Sequence, residues 1–548
     1  MSSTQTATAP SLWGWIDRNI LDLGRQMRLS YLPPLMVYVA YGISGLTGIV
    51  GTFFVKGYLG LSAESLAALG FWAGLPWALK MPIGHLVDLM WRWKGLLVYF
   101  GAALLAGSIL VMVGLLTDRA AMEAIMPADD WFVFGAILAP IGYVIQDVVA
   151  DAMTVEAVPR VDDDGAVLSE ADRRAGHTTM QTLGRVAIIA GGILVSLANV
   201  ILFADASELP EPEKIAKYRQ IYTLALIIPI VSVFGVLLAG HLQRRHARRL
   251  RERGLSREEI HDALHGKGER PPVNWWILGG GLLFAVVSVT LGVSKFALKQ
   301  EVIFGASMAI VLFLMIRLVR ELEPDARHTL VGTALLIFVF RAMPSPGPGS
   351  SWWMIDVLRF DEAFLAKLSL IGSVLALLGM FVFRRFMAER SIVYIVGFLT
   401  IVGTILSLPS LAMYYGFHEW TAAHTGGVVD ARFIAVVDTA LESPLGQISM
   451  IPMLAWIANS APDRLKATYF AVMASFTNLA LSLSNLGTKY LNQIFTVTRE
   501  VKDQATGVIK VPADYGHLGD LFIAAILIGL VIPLAAIVFV KTTRYRSA

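Results

Sequence analysis

Residues 71–88 read FWAGLPWALKMPIGHLVD and residues 143–160 read YVIQDVVADAMTVEAVPR. Both are long apolar runs interrupted by ionisable groups. Lys80 stands between Pro76 and Pro82, while Asp147 and Asp151 are four residues apart and so share one helical face, with Glu156 pointing elsewhere. An ionised group inside a bilayer costs at least about 2.5 to 3.5 kcal/mol on insertion scales, so each must face protein or water, or snorkel from a span end. Such runs predict membrane-spanning helices that line an interior.

The rest of the chain agrees. Of its 548 residues 56% are hydrophobic and only 16% charged, against about 25% charged in an ordinary soluble domain. An all-α polytopic membrane protein follows, and the lack of period-two alternation argues against a β-barrel. There are no cysteines, which excludes disulfides, thiolate metal sites and cysteine nucleophiles. The net charge of +3 is spread over loops of both signs, which argues against a nucleic-acid partner. Residues 1–30 lack the continuous apolar core and cleavage site of a secretory signal.

Apolar runs of spanning length occur near 35–56, 66–88, 96–116, 131–157, 178–202 and 219–242. Residues 243–272 follow, with nine basic and five acidic residues, too charged to enter lipid. Two runs lie near 274–294 and 302–320, and six more near 328–344, 363–383, 391–412, 432–459, 467–495 and 518–541. The expected organisation is fourteen spans: a six-helix bundle over 31–242, a basic linker over 243–272, an inserted hairpin over 273–320 and a second six-helix bundle over 321–548. Lys and Arg concentrate on the segments that a cytoplasmic amino terminus puts inside, so both termini are expected in the cytoplasm. Within residues 1–30, Trp13, Ile16 and Ile20 at helical spacing predict an interfacial helix.

Further ionisable groups fall within the spans. Arg185 lies in the fifth, Arg341 in the first of the last six, Asp438 and Glu442 in its fourth and Lys489 in its fifth. The fourth span of each half thus carries two carboxylates at i, i+4 spacing. Asp147 and Asp151 are candidates for proton coupling, because paired carboxylates repel when both are ionised. Lys80, Arg185, Arg341, Asp438 and Glu442 are candidates for solute binding. For each a structural role is open as well: an ion pair that holds the bundle together, or, for Lys80, snorkelling to an interface. Gly84, Asp88, Arg92 and Lys94 form a carboxylate and basic turn suited to gating. No P-loop, HExxH or GxSxG occurs. No catalytic residue, metal or cofactor is expected, and the chain does not read as an enzyme.

Two six-span halves joined by a basic loop, with GHLVD and a basic turn after the second span, resemble the major facilitator superfamily. Within it, LPWALKMPIGHLVD (75–88) and QDVVADAMTVE (146–156) resemble the folate–biopterin transporter family. The muropeptide permease family is also similar, through Gln146, Asp147, Asp151, Ala152 and the following Pro159. The resemblance implies a secondary active, proton-coupled transporter of a small, anionic, folate- or pterin-like solute, working as a monomer in the plasma (inner) membrane by alternating access. Its alternatives are a muropeptide or other solute permease, or a non-transporting membrane assembly factor on the same fold. The retained intramembrane charges favour transport. The inserted hairpin, without a mid-span ionisable group, reads as peripheral.

Overall fold

Prolines and glycines divide several of the apolar runs into shorter helical pieces. A computed structural model describes residues 12–17, 21–90, 93–158, 168–256, 259–260, 273–294, 296–320, 323–383, 386, 390–446, 466–502, 508–543 and 545. The first run forms α1 (Leu32–Gly42) and α2 (Gly48–Tyr58), joined by a 3-10 turn at Ile43–Thr47. The second forms α3 (Ala63–Gly74) and α4 (Lys80–Leu89) around a 3-10 turn at Leu75–Leu79 that contains Pro76. Proline cannot donate the helical hydrogen bond, so the helix changes pitch just before Lys80.

The chain continues as α5 (Lys94–Thr117), α6 (Ala128–Ala157), α7 (Glu170–Leu202), and the nearly continuous pair α8 (Glu211–Ala225) and α9 (Ile227–Glu252). The inserted pair is α10 (Trp275–Val293) and α11 (Lys299–Val319). Then come α12 (Pro324–Arg341), the short α13 (Pro348–Asp356), α14 (Glu362–Val382), α15 (Ile392–Tyr414), α16 (Ala431–Glu442), α17 (Lys466–Ile494) and α18 (Leu518–Thr542). Between the last two, β1 (Val501–Lys502) and β2 (Ile509–Val511) pair antiparallel. Side-chain caps start several helices: Ser62 accepts from the Ser65 amide, Asp361 from Phe364 and Asp430 from Phe433.

Eleven of the described helical segments are long and apolar enough to cross a membrane. Three other helices, α12, α16 and α17, stand where the remaining apolar runs were expected. The second part of the 432–459 run lies outside the described residues, as do Arg92, most of the linker and much of the amino-terminal segment, although Leu12–Ile16 is helical.

Close helix crossings rely on glycine. A Cβ at Gly42 would meet the Ile188 carbonyl at 2.2 Å, so α1 and α7 approach backbone to backbone. Outward faces are apolar: on α9, Ile227, Ile230, Phe234 and Leu237 recur at helical spacing and are exposed, which suits contact with lipid. The hairpin is not merely peripheral. One apolar cluster unites Phe71 and Met81 of the second run, Ile277, Phe284 and Ile303 of the hairpin, Leu330 and Leu336 of α12, and Met473, Phe476 and Leu486 of α17. Its packing against α4 and α17 makes it part of the bundle's seam.

Candidate functional site

The break at Pro76 sets Lys80 at the start of α4, where its side chain meets α6. The Lys80 ammonium lies 2.6 Å from the Asp147 carboxylate and 2.8 Å from that of Asp151. One helical turn separates the two acids, so a single cation serves both. Tyr38 of α1, itself buried, donates to Asp151 at 2.7 Å. Arg185 of α7 lies within charge–charge range of Asp147. The Lys80, Asp147 and Asp151 side chains retain 19%, 15% and 40% exposure, so water can reach the group most easily at Asp151.

Gln146, next to Asp147 in sequence, turns the opposite way. It is buried and donates to the Val98 carbonyl of α5 at 3.3 Å. It thus joins α6 to α5.

An aromatic group borders the charges. The Tyr41 ring stands edge-on to Trp77, with centroids 5.9 Å apart, and edge-on to Tyr143 at 5.4 Å. Tyr41 is also within electrostatic range of Asp147, Arg185 and Lys80. Asn478 of α17 donates to the Trp77 carbonyl at 3.3 Å, which ties this wall to the second half of the chain. Arg341, in the last turn of α12, feels the positive charge of Arg185. Two guanidinium groups from opposite halves thus share one neighbourhood, an arrangement that an anion between them would stabilise.

The end of the bundle that carries Tyr58 is closed by contacts between residues before 243 and residues after 320. Lys56 pairs with Asp356 at 2.5 Å, Lys214 with Glu362 at 2.8 Å, and Gln493 donates to Glu64 at 2.5 Å. Glu362 is only 1% exposed and also accepts from Tyr218 at 2.5 Å. Arg499, 2% exposed, donates to the carbonyls of Lys56, Leu59 and Leu61 and lies 5.1 Å from the centroid of the Trp352 ring. Burial lowers the Arg499 pKa from its ordinary value. Tyr515 donates to Asp356 at 2.5 Å, and burial first, then that hydrogen bond, pushes its phenol well above its usual range. Deeper in the seam, Ser196 of α7 is 2.8 Å from Ser369 and 3.3 Å from Ser373 of α14.

The other sequence candidates are placed differently. Lys94 pairs with Glu156 of α6 at 2.6 Å, fastening α5 to α6. Gly84 is partly buried against Val148, and Asp88 is exposed near His85. Asp438 is partly buried and Glu442 exposed on α16; among the described residues no ion pair joins them to the Lys80 group. Lys489 is drawn to Glu301 of the hairpin at 3.2 Å. Tyr38, Tyr41, Trp77, Tyr143, Glu362 and Arg499 were missed from sequence. Tyr38 and Tyr41, polar rings at i, i+3 within an apolar run, left a local signal, as did Tyr143, one helical turn before Asp147. Among the described residues no three His, Asp or Glu side chains cluster to hold a metal ion.

Known proteins resemble this chain in sequence and in fold. The chain is 23% identical over 466 residues to a folate-biopterin transporter of Synechocystis sp., covering 84% of this chain and 74% of that one. Among solved structures, a peptide transporter of the POT type in complex with sulfate matches with a TM-score of 0.55 at 13% identity, over 94% of each chain. A nucleoside transporter matches with a TM-score of 0.51 at 12% identity, over 93% of this chain and 99% of that one. At such identities the likeness establishes the fold alone, that of major facilitator transporters. The model of the BT1 family matches residues 41–544. With nearly the whole chain inside that match, the protein belongs to the BT1 family and is a multi-pass membrane transporter of a small solute, not an enzyme.

Proposed function

We propose that this transporter moves an anionic, planar solute of folate or pterin type by alternating access, coupled to protons through Asp147 and Asp151. The two working bodies are the six-helix halves over 31–242 and 321–548, which rock about a site near the bilayer midplane. The protein acts as a monomer in the plasma (inner) membrane, with both termini cytoplasmic and the Tyr58 end outside. The contacts at that end then make the present state outward-closed.

The observation that carries the proposal is the sharing of Lys80 between Asp147 and Asp151. When one aspartate takes a proton, Lys80 keeps the other as its counter-ion and the group is neutral. On release the group carries one net negative charge, which Lys80 shares between both acids and Arg185 nearby offsets. A solute carboxylate approaching Arg185 and Arg341 changes the field at Asp147, which links solute and proton occupancy. The Tyr41, Trp77 and Tyr143 rings supply faces and edges against which a flat heterocycle stacks. The name of the Synechocystis relative favours the same solute class. Gating is assigned to the turn of Gly84, Asp88, Arg92 and Lys94, with Asp438 and Glu442 lining the second half's share of the pathway.

The test is a thermal-shift screen of purified protein against pterins, folates, muropeptides and organic acids, followed by uptake in proteoliposomes with an imposed pH gradient. A folded-state ligand raises apparent stability. A folate or pterin should do so in the wild type and fail to do so with Arg341→Ala, the fold remaining intact. Stabilisation by muropeptides alone would overturn the solute class, and uptake indifferent to the pH gradient would overturn proton coupling.

A further inference from the structure

We propose that the inserted hairpin, α10 and α11, is a latch across the seam between the two halves: it is fixed to the second run and grips α17 through Glu301 while the Tyr58 end is closed. This inference rests on the alternating-access reading above and goes beyond it, because it assigns a task to a segment outside the central site.

The attachments to the second run are several and spread along its length. The Asn274 amide donates to the His85 ring at 2.9 Å, next to the Gly84 and Asp88 turn. A Cβ built at Gly281 would lie 2.4 Å from the Pro82 ring, so glycine at 281 lets α10 close on the proline two residues past Lys80. Gly292 packs against Trp72, and the Lys299 ammonium stands 6.0 Å from the centroid of a Trp72 ring. Gln300, 4% exposed, donates to the Ala68 carbonyl at 3.1 Å. These joints are short, directional or sterically exact in shape, and they hold the hairpin to α3 and α4 as one body.

The attachment to α17 is of another kind. Among the described residues its polar part is one carboxylate: Glu301 accepts from Lys489 at 3.2 Å and from the Tyr490 hydroxyl. The remainder is apolar contact, with Ile303 in the same cluster as Leu486. Apolar contact is non-directional and tolerates sliding, whereas a charge-assisted hydrogen bond is either made or broken. Beneath the hairpin, α3 and α17 touch directly: a Cβ at Gly70 would meet Asn485 at 2.9 Å, and one at Gly74 would meet Ser482 at 3.4 Å. Opening the Tyr58 end must part this contact. The hairpin then stays with α3 and α4, and the bond to Glu301 is the one that breaks. In the closed state it adds to the closure without entering the solute pathway.

The chain has no cysteine, so distances can be measured with two introduced ones. Ala124 and Ala423 are exposed at the Tyr58 end, one in each half. Ala124→Cys and Ala423→Cys, spin-labelled in lipid nanodiscs, should give a main short distance and a minor longer one. Glu301→Gln should raise the ratio of long to short by about three- to tenfold, the range for one charged hydrogen bond that is partly solvated. Tyr490→Phe, which removes only a hydroxyl, should raise it in the same direction and provides the test if Glu301→Gln fails to fold. The exchanged pair Glu301→Lys with Lys489→Glu should return the ratio towards wild type. A wild-type ratio in both Glu301→Gln and Tyr490→Phe, while pH or solute still shifts the distances, would overturn the latch alone. A single distance in every variant and condition would remove alternating access and the latch with it.

Discussion

The Lys80 ammonium and the Asp147 carboxylate, 67 residues apart in sequence, lie 2.6 Å apart in the bundle, and the same ammonium reaches Asp151 at 2.8 Å. A lysine held by two acids ties two helices together, and the proposed mechanism also makes the group the proton-responsive element; the two roles make different predictions.

Lys80→Met leaves two carboxylates on one helical face without their cation. It should lower stability by about 2 to 3 kcal/mol, less than a fully buried pair would lose because Asp151 stays partly solvated. Adding Asp147→Asn should recover part of that loss. Thermal unfolding of both single variants and the double variant gives the coupling, expected on the order of 1 to 3 kcal/mol; additive effects would contradict the pairing.

Asp147→Asn and Asp151→Asn should each keep solute binding or exchange while losing accumulation driven by a pH gradient. Proteoliposome uptake with and without the gradient measures both. Accumulation at the wild-type level in both variants would remove the coupling assignment. Loss of expression, restored by exchanging charge with Lys80, would leave the acids a structural role only.

Arg499 holds three carbonyls of the 56–61 turn with one guanidinium. Arg499→Ala should destabilise the closed Tyr58 end by about 2 to 3 kcal/mol, since those carbonyls lose a charged donor. Arg499→Lys should rescue little, because an ammonium lacks the fork that reaches separate acceptors. The spin-label pair at 124 and 423 should report the longer distance more often in both variants.

Tyr515 gives a pH dependence at the same end. Its folded-state pKa is raised above the ordinary tyrosine value near 10, chiefly by burial and then by the bond to Asp356. Folding therefore favours the protonated phenol: the stabilisation is full below about pH 10 and is lost as pH rises towards the folded-state value. Melting temperatures measured from pH 8 to 11 should fall more steeply for the wild type than for Tyr515→Phe. Parallel curves would show that the phenol contributes nothing.

A reporter fused at residue 258 should be cytoplasmic, and reporters fused at 297 and 421 should be external, because the first loop is strongly basic and the segment around 421 lacks Lys and Arg. Reversal at 258 and 421 would invert the orientation, and a cytoplasmic signal at 297 would remove the hairpin as a pair of spans.

From the sequence alone, the membrane class, the apolar runs, the polar break after 242 and the common face of Asp147 and Asp151 could be read. All are local quantities: hydropathy over about twenty residues, the cost of charge in lipid, and the period of a helix. The tertiary structure decided the partners. It gave Lys80 to both aspartates, Lys94 to Glu156 and Lys489 to the hairpin, and it carried Arg499 back to the 56–61 turn. It also brought Tyr41, Trp77 and Tyr143 together from different helices. These pairings depend on which helices cross and where, which is set by close packing at glycines such as Gly42 and Gly281. A helix shows its own faces in its sequence, but the neighbour that will cover each face is chosen only when the whole bundle packs.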